Sequence, residues 1–160
     1  AEELLKDFGD TIEGKRISIS GYGNVAWGAA MKATEMGAKV VTISGSKGYV
    51  LDEDGVNTKD KWDYMLMMRA TNSGDLRGYV STDIAMPCAY QNELNREDAE
   101  ALIRNGVKYV IETSNMGCTP DAVEAFKRAH IPFAPSKAAN AGGVAVSGLE
   151  MSQNAYSLAN

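Results

Sequence analysis

One short run, Gly21-Tyr22-Gly23-Asn24-Val25-Ala26, limits what this chain can fold into more than any other feature. It has the form G-x-G-x-x-A and lies between a β-branched stretch, Arg16–Ser20, and a helix-forming one, Asn24–Met36. The first glycine allows a tight turn from strand to helix. The second lets backbone approach a pyrophosphate with no Cβ in the way, and Ala26 keeps the helix close to the strand. The positive end of that helix then favours a negatively charged ligand.

The rest of the chain repeats the same alternation. Lys39–Ile43, Asp83–Met86, Lys108–Ile111 and Ile131–Ala134 read as short apolar strands. Between and around them Glu2–Phe8, Thr58–Ala70, Asn95–Asn105, Pro120–Ala129 and Gly142–Leu158 read as helices, and Gly37 stands where a glycine stops the helix before it. Strands alternating with helices predict parallel βαβ units with right-handed crossovers. The fold class is therefore α/β, a doubly wound, mainly parallel sheet covered on both faces. Ligands bind such sheets beyond the carboxyl ends of the strands, where the chemically interesting segments of this chain fall.

At 160 residues the chain fits one domain, residues 1–160. Its net charge of −5 is scattered, which argues against nucleic acid or an anionic membrane surface as a partner. No apolar run approaches the ~18 residues of a membrane span. The first residues show no signal peptide, and Cys88 and Cys118 form no C-x-x-C, so free thiols in a reducing cytoplasm are expected. Glycine is enriched, 16 of 160, above the usual ~7%.

The dinucleotide fingerprint has a second half, an acid about 20 residues on that holds the ribose 2′-hydroxyl. Here the segment is Val41-Thr42-Ile43-Ser44-Gly45-Ser46-Lys47, without an acid. A carboxylate there would repel a 2′-phosphate, whereas Ser44, Ser46 and Lys47 can bond to one or neutralise it. The expectation is that NADP is accepted, alone or alongside NAD.

A second small-residue segment, Pro135–Met151, follows the last strand. Within it, Ala139-Asn140-Ala141-Gly142-Gly143-Val144 with Ser147-Gly148 and Glu150-Met151 resembles the cofactor-binding (C-terminal) domain of the hexameric glutamate dehydrogenases. So do Gly14 through Ala26, Met86-Pro87-Cys88-Ala89-Tyr90-Gln91-Asn92 and Glu112-Thr113-Ser114-Asn115-Met116, four motifs in the family's order from about Glu2 to Asn154. The resemblance implies a Rossmann-type fold with one reversed strand, and oxidative deamination of L-glutamate to 2-oxoglutarate and ammonia with hydride passing to NAD(P). It places Gly21, Gly23, Asn24 and Val25 against the pyrophosphate. It puts Ala89 and Gln91 on the adenosine and ribose side with Asn92 nearby, Asn115 toward the nicotinamide ribose and Asn140 toward the nicotinamide. Val144 and Ser147 face the substrate, the serine hydroxyl donating to its side-chain carboxylate.

In that family the catalytic lysine and aspartate belong to a preceding domain, so no catalytic residue is assigned here. The chain is expected to bind dinucleotide without turning over glutamate, and to be monomeric where the full-length enzyme is a homo-hexamer. The family also carries a helix turn, a strand and a loop where this chain passes from Val80 to Thr82, so either this protein lacks a strand or a segment near residues 80–82 is missing from the sequence; the second is favoured, since losing a strand from a packed sheet would leave core uncovered. Two other readings are a non-catalytic dinucleotide-sensing module, which needs no Ser147, and a branched-chain or aromatic amino-acid dehydrogenase, which would set an apolar pocket in its place.

Other candidates carry less. Asp52-Glu53-Asp54-Gly55 lacks the spacing of a calcium loop and reads as a solvated turn. His130 has no acid or second histidine placed to form a triad or metal site, and no metal is expected. Trp27, Trp62 and Met65–Met68 read as packing residues, and Cys88 as a buried thiol in the cleft.

Overall fold

A computed structural model describes residues 1–21, 23–45, 48–61, 63 and 82–157. In chain order the elements are α1 (Glu2–Asp7), β1 (Arg16–Ser20), α2 (Asn24–Glu35), β2 (Lys39–Gly45), β3 (Gly48–Leu51) and β4 (Ile84–Pro87). They continue with α3 (Arg96–Arg104), β5 (Tyr109–Ile111), α4 (Pro120–Arg128), β6 (Phe133–Ala134), α5 (Ser136–Ala139) and α6 (Ala141–Ser157).

The six strands form one sheet in the order β3-β2-β1-β4-β5-β6. All neighbours are parallel except β2 and β3, which pair antiparallel as a hairpin. The chain thus winds outward from β1 in one direction and from β4 in the other. The switch point lies between these two strands, where such sheets bind ligands.

Period-two alternation distributes the apolar side chains over two cores. Ile17, Ile19, Ile84 and Met86 face α2, whose Ala26, Ala30 and Ala33 are small enough to bring helix and sheet close. Ala85 and Val110 face the other way, against Ala99 and Leu102 of α3 and Ala122 and Phe126 of α4. Four buried residues in a row in β4 follow directly from this two-sided cover.

The helix ends obey local chemistry. Asn95 and Asp98 form a capping box at α3. Thr119 caps α4, whose first residue is Pro120. Gly37 follows α2 with φ +83° and ends it as expected. At the N-terminal edge of the sheet, away from the switch point, Asp10 takes Lys15 Nζ at 2.8 Å and the Tyr109 hydroxyl at 2.8 Å. Asp83 there accepts from Arg16 N and pairs with Lys108.

β3 is the one reversed strand that the family resemblance implies, although neither its residues nor those of α5 read as elements in the sequence. Gly45 and Gly48 pair across a hairpin, and β-branched and aromatic Tyr49-Val50 continue as a strand. α5 is one turn long and sits in the small-residue segment, while α6 begins at Ala141, before the paired glycines. Trp27 is 37% exposed rather than packed away. His130 takes a left-handed conformation, φ 56°, just past α4, and so serves to end that helix. Of the helix expected over Thr58–Ala70, residues 59–61 and 63 are helical. Trp62, Met65–Met68 and the junction at 80–81 lie outside the described residues. Among those described, no helix is long and apolar enough to cross a membrane.

Candidate functional site

Parallel strands leave their carboxyl ends on one edge, and there the loops after β1, β4, β5 and β6 line up. Gly21, just past β1, has φ +98° and is buried. A Cβ on it would meet Ala89 Cα at 3.0 Å and Ala89 N at 3.1 Å, so the loops after β1 and β4 touch backbone to backbone. The Gly21 N–H donates to the Ser44 carbonyl at the end of β2. Gly21 therefore contributes space, not a free donor, and Ser44 enters the edge through its main chain. Ser46 and Lys47 lie outside the described residues.

Gly23 is the N-cap of α2, with nothing within 4 Å of where its Cβ would be. It offers no side chain to cap the first turn, and that turn holds no acid. By contrast α3 and α4 are capped by side chains and carry Glu97, Asp98 and Asp121 in their first turns. Asn24 and Val25 follow on the exposed side, Val25 at 48% exposure, while Ala26 is fully buried. Backbone open to solvent at a helix N-terminus, with no competing acid, fits a phosphate.

The loop after β4 carries Ala89, Tyr90, Gln91 and Asn92, all exposed. One carboxylate holds it. Glu93 Oε2 accepts from Ala89 N at 2.7 Å and Tyr90 N at 2.8 Å, while its Oε1 is buried with no hydrogen-bond partner. Burial pushes the Glu93 carboxyl up to about 7. Cys88 beside it is buried, and desolvation pushes its thiol up to about 12, so it stays protonated and unreactive.

The loop after β5 is laced to the loop after β4: Asn92 N donates to Met116 O at 2.7 Å, and Leu94 N to Gly117 O at 3.0 Å. Gly117 is required by packing, since a Cβ would lie 2.7 Å from Ser114 Oγ and 2.9 Å from Pro87 Cβ. Glu112, only 5% exposed, ties the next loop on. Its Oε1 accepts from Cys118 N at 2.8 Å and its Oε2 from Ser136 N at 3.0 Å.

At the far end Asn140 Nδ2 donates to Asn115 Oδ1 at 2.7 Å, joining the two residues that the family resemblance assigns to the nicotinamide side. Ser147 lies exposed on α6, and Val144 lies on the same helix. The two side-chain-poor turns share the edge, but β4 and β5 stand between β1 and β6. Three strand spacings of ~4.8 Å separate them by about 14 Å, a gap for an extended ligand to cross.

Glu93, Glu112 and Gly117 were not singled out in the sequence. The available signal was an acid placed directly after an apolar strand, as at Glu112, where a buried charge demands partners. Among the described residues no group of histidine, cysteine and acidic side chains could hold a metal.

The doubly wound sheet with a glycine turn at its switch point defines a Rossmann-type α/β protein. Over residues 1–160 the chain matches the Glutamate/Leucine/Phenylalanine/Valine dehydrogenase family, and it belongs to that family. It is 53% identical over 173 aligned positions to an NAD-specific glutamate dehydrogenase of Bacteroides fragilis (strain YCH46), covering 98% of this chain and 39% of the relative. It is 47% identical to the NADP-specific glutamate dehydrogenase of Escherichia coli (strain K12), covering 98% of this chain and 38% of that one. A solved glutamate dehydrogenase superposes with a TM-score of 0.86 at 43% identity, over 97% of this chain and 38% of its own. The chain thus spans about 39% of the length of curated relatives it matches. The 173 aligned positions cover 98% of this chain, so that relative carries residues with no counterpart here.

Proposed function

We propose that this chain is the NAD(P)-binding part of a glutamate dehydrogenase, which oxidises L-glutamate to 2-oxoglutarate and ammonia. The observation that carries the reading is the arrangement of one sheet edge: the uncapped N-terminus of α2 at one end and the bonded pair Asn115–Asn140 at the other. Bound NAD(P) supplies the hydride acceptor. The chain's own residues bind and orient it. The α2 N-terminus at Gly23, Asn24 and Val25 holds the pyrophosphate, and the Glu93-braced loop with Ala89 and Gln91 flanks the adenosine and its ribose. Asn115 and Asn140 set the nicotinamide end, with Val144 and Ser147 toward the substrate. The Ser147 hydroxyl favours a substrate carboxylate over an apolar side chain, which supports glutamate over the aliphatic and aromatic amino acids.

The end of β2 and the residues after it carry no acid, which supports acceptance of NADP beside NAD. The surplus of aligned positions over this chain's residues supports a segment missing from this sequence, placed by the resemblance between Val80 and Thr82. The full-length enzyme assembles as a homo-hexamer and works in the cytoplasm.

Titrating the purified chain with NADH and with NADPH, and assaying it with glutamate and each oxidised cofactor, tests the reading. Binding of NADPH comparable to or tighter than NADH, with no glutamate oxidation by the chain alone, is the expected result. No binding of either cofactor, or turnover by these 160 residues alone, contradicts it.

A further inference from the structure

We propose that Glu112 is the positioning residue that holds the nicotinamide-side pair Asn115 and Asn140 together, an inference that rests on the dinucleotide reading above. Neither asparagine is anchored by its own strand. Asn115 sits in the loop after β5, and Asn140 follows the one-turn helix α5 after β6. The strands that lead into the two loops are short, three residues in β5 and two in the edge strand β6, and do little to fix the loops' relative position. The residue that joins them at their base is Glu112.

Its carboxylate lies at the foot of both loops, directly after β5, and each oxygen serves one of them. Oε1 takes the N–H of Cys118, on the return limb of the Asn115 loop, at 2.8 Å, and Oε2 takes the N–H of Ser136, the first residue of α5, at 3.0 Å. From Ser136 the connection continues to Asn140, whose N–H donates to the Ser136 carbonyl at 2.8 Å. A second strap crosses the same gap: Met116 N donates to Ser136 Oγ at 3.3 Å. Asn115 and Asn140 therefore lie three and four residues from Cys118 and Ser136, whose N–H groups bond to one buried carboxylate. Charge-assisted bonds of this kind are stronger than neutral ones, and a side chain with two acceptor oxygens and no donor suits two backbone N–H groups.

The Glu112→Gln variant keeps the shape and removes one acceptor, so that an amide NH2 faces a backbone N–H in one of the two loops. Ser136→Pro breaks the Glu112 bond from the donor side and also removes the hydroxyl that takes Met116 N, so it cuts both straps, whereas Glu112→Gln touches only the carboxylate. Proline is tolerated at the first position of a helix, and Pro135 already has the extended conformation, φ −69° and ψ 156°, that a following proline requires.

Two readouts on the full chain separate the clamp from general stability and from the function it serves. In titrations with NADH and with ADP, each variant is expected to weaken NADH at least tenfold while ADP, which lacks the nicotinamide half, stays within twofold of wild type. Equal weakening of both ligands, or no change in either, overturns the clamp. In the ligand-free chain, hydrogen exchange at the Cys118 amide in Glu112→Gln, and at the Asn140 amide in both variants, is expected to accelerate tenfold or more, with β1 unchanged. Unchanged exchange overturns the clamp whether or not a dinucleotide binds, whereas a wild-type chain that binds neither NADH nor ADP overturns the function reading alone.

Discussion

Asn140 and Asn115, 25 residues apart and on loops from different strands, meet side chain to side chain at 2.7 Å. The bond brings together the two residues that the family resemblance assigns to the nicotinamide and its ribose. Their effects on NADH binding should therefore not add. Replacing each by alanine, and then both, is expected to give a coupling of about 0.5–1.5 kcal/mol, the net worth of one hydrogen bond. Calorimetric NADH titration of the three variants checks it, and additive losses would show that the pair does not act as a unit.

The two glycines of the first loop should respond oppositely to a methyl group. Gly21→Ala places a Cβ 3.0 Å from Ala89 Cα in a left-handed conformation, which alone costs about 1–3 kcal/mol. Gly23→Ala meets nothing within 4 Å in the free chain, so the loss of stability should be limited to the roughly 0.5–1 kcal/mol by which alanine is the poorer N-cap. The added methyl occupies the space left for the pyrophosphate, and NADH affinity should fall at least tenfold. Denaturant midpoints and NADH titrations on both variants separate these outcomes.

Stability should depend on pH through two carboxyls with opposite signs. The Glu93 carboxyl rises from 4.5 to about 7 on folding because burial disfavours its charge. Its stabilising contribution is full below about pH 4.5 and is lost as pH rises through 7, by up to about 3 kcal/mol. The Asp10 carboxyl falls from 3.8 to about 2 through hydrogen bonds from Lys15 and Tyr109. Its contribution is present above about pH 4 and is lost as pH falls through 2. Urea unfolding at a series of pH values should show both limbs, and Glu93→Gln should flatten the one between pH 4.5 and 7 while sparing the acid limb.

Neither thiol should react in the folded chain. Burial is the main cause that pushes both Cys88 and Cys118 up, and the Glu112 charge adds to it at Cys118. An aromatic disulfide reagent at pH 8 is expected to titrate both thiols only after denaturant is added. Rapid labelling of Cys88 in the native chain would mean that the loop after β4 opens.

Much of this architecture was legible because it follows from local rules. The Gly21–Ala26 run, the apolar strands and the capped helices at Asn95 and Thr119 announce themselves in residue order. Strand order and the hairpin β3 did not. Gly48-Tyr49-Val50-Leu51 is too short to display a period, and its pairing with β2 is a tertiary choice. The supporting layer of the site was hidden for a related reason. Glu93 and Glu112 matter through backbone N–H groups, which every residue has, so no side-chain pattern marks their partners. The reach from β1 to β6 across two intervening strands likewise depends on topology and not on sequence distance.

The central claim is that one dinucleotide spans the carboxyl edge of the sheet from the N-terminus of α2 to the Asn115–Asn140 pair. Backbone amide shift mapping by NMR tests it most directly. NADH is predicted to move the amides of Gly23, Asn24 and Val25 together with those of Asn115, Asn140 and Gly142, while ADP moves only the first group. Shifts confined to one end for both ligands, or centred on the opposite edge near Asp10 and Asp83, would contradict it.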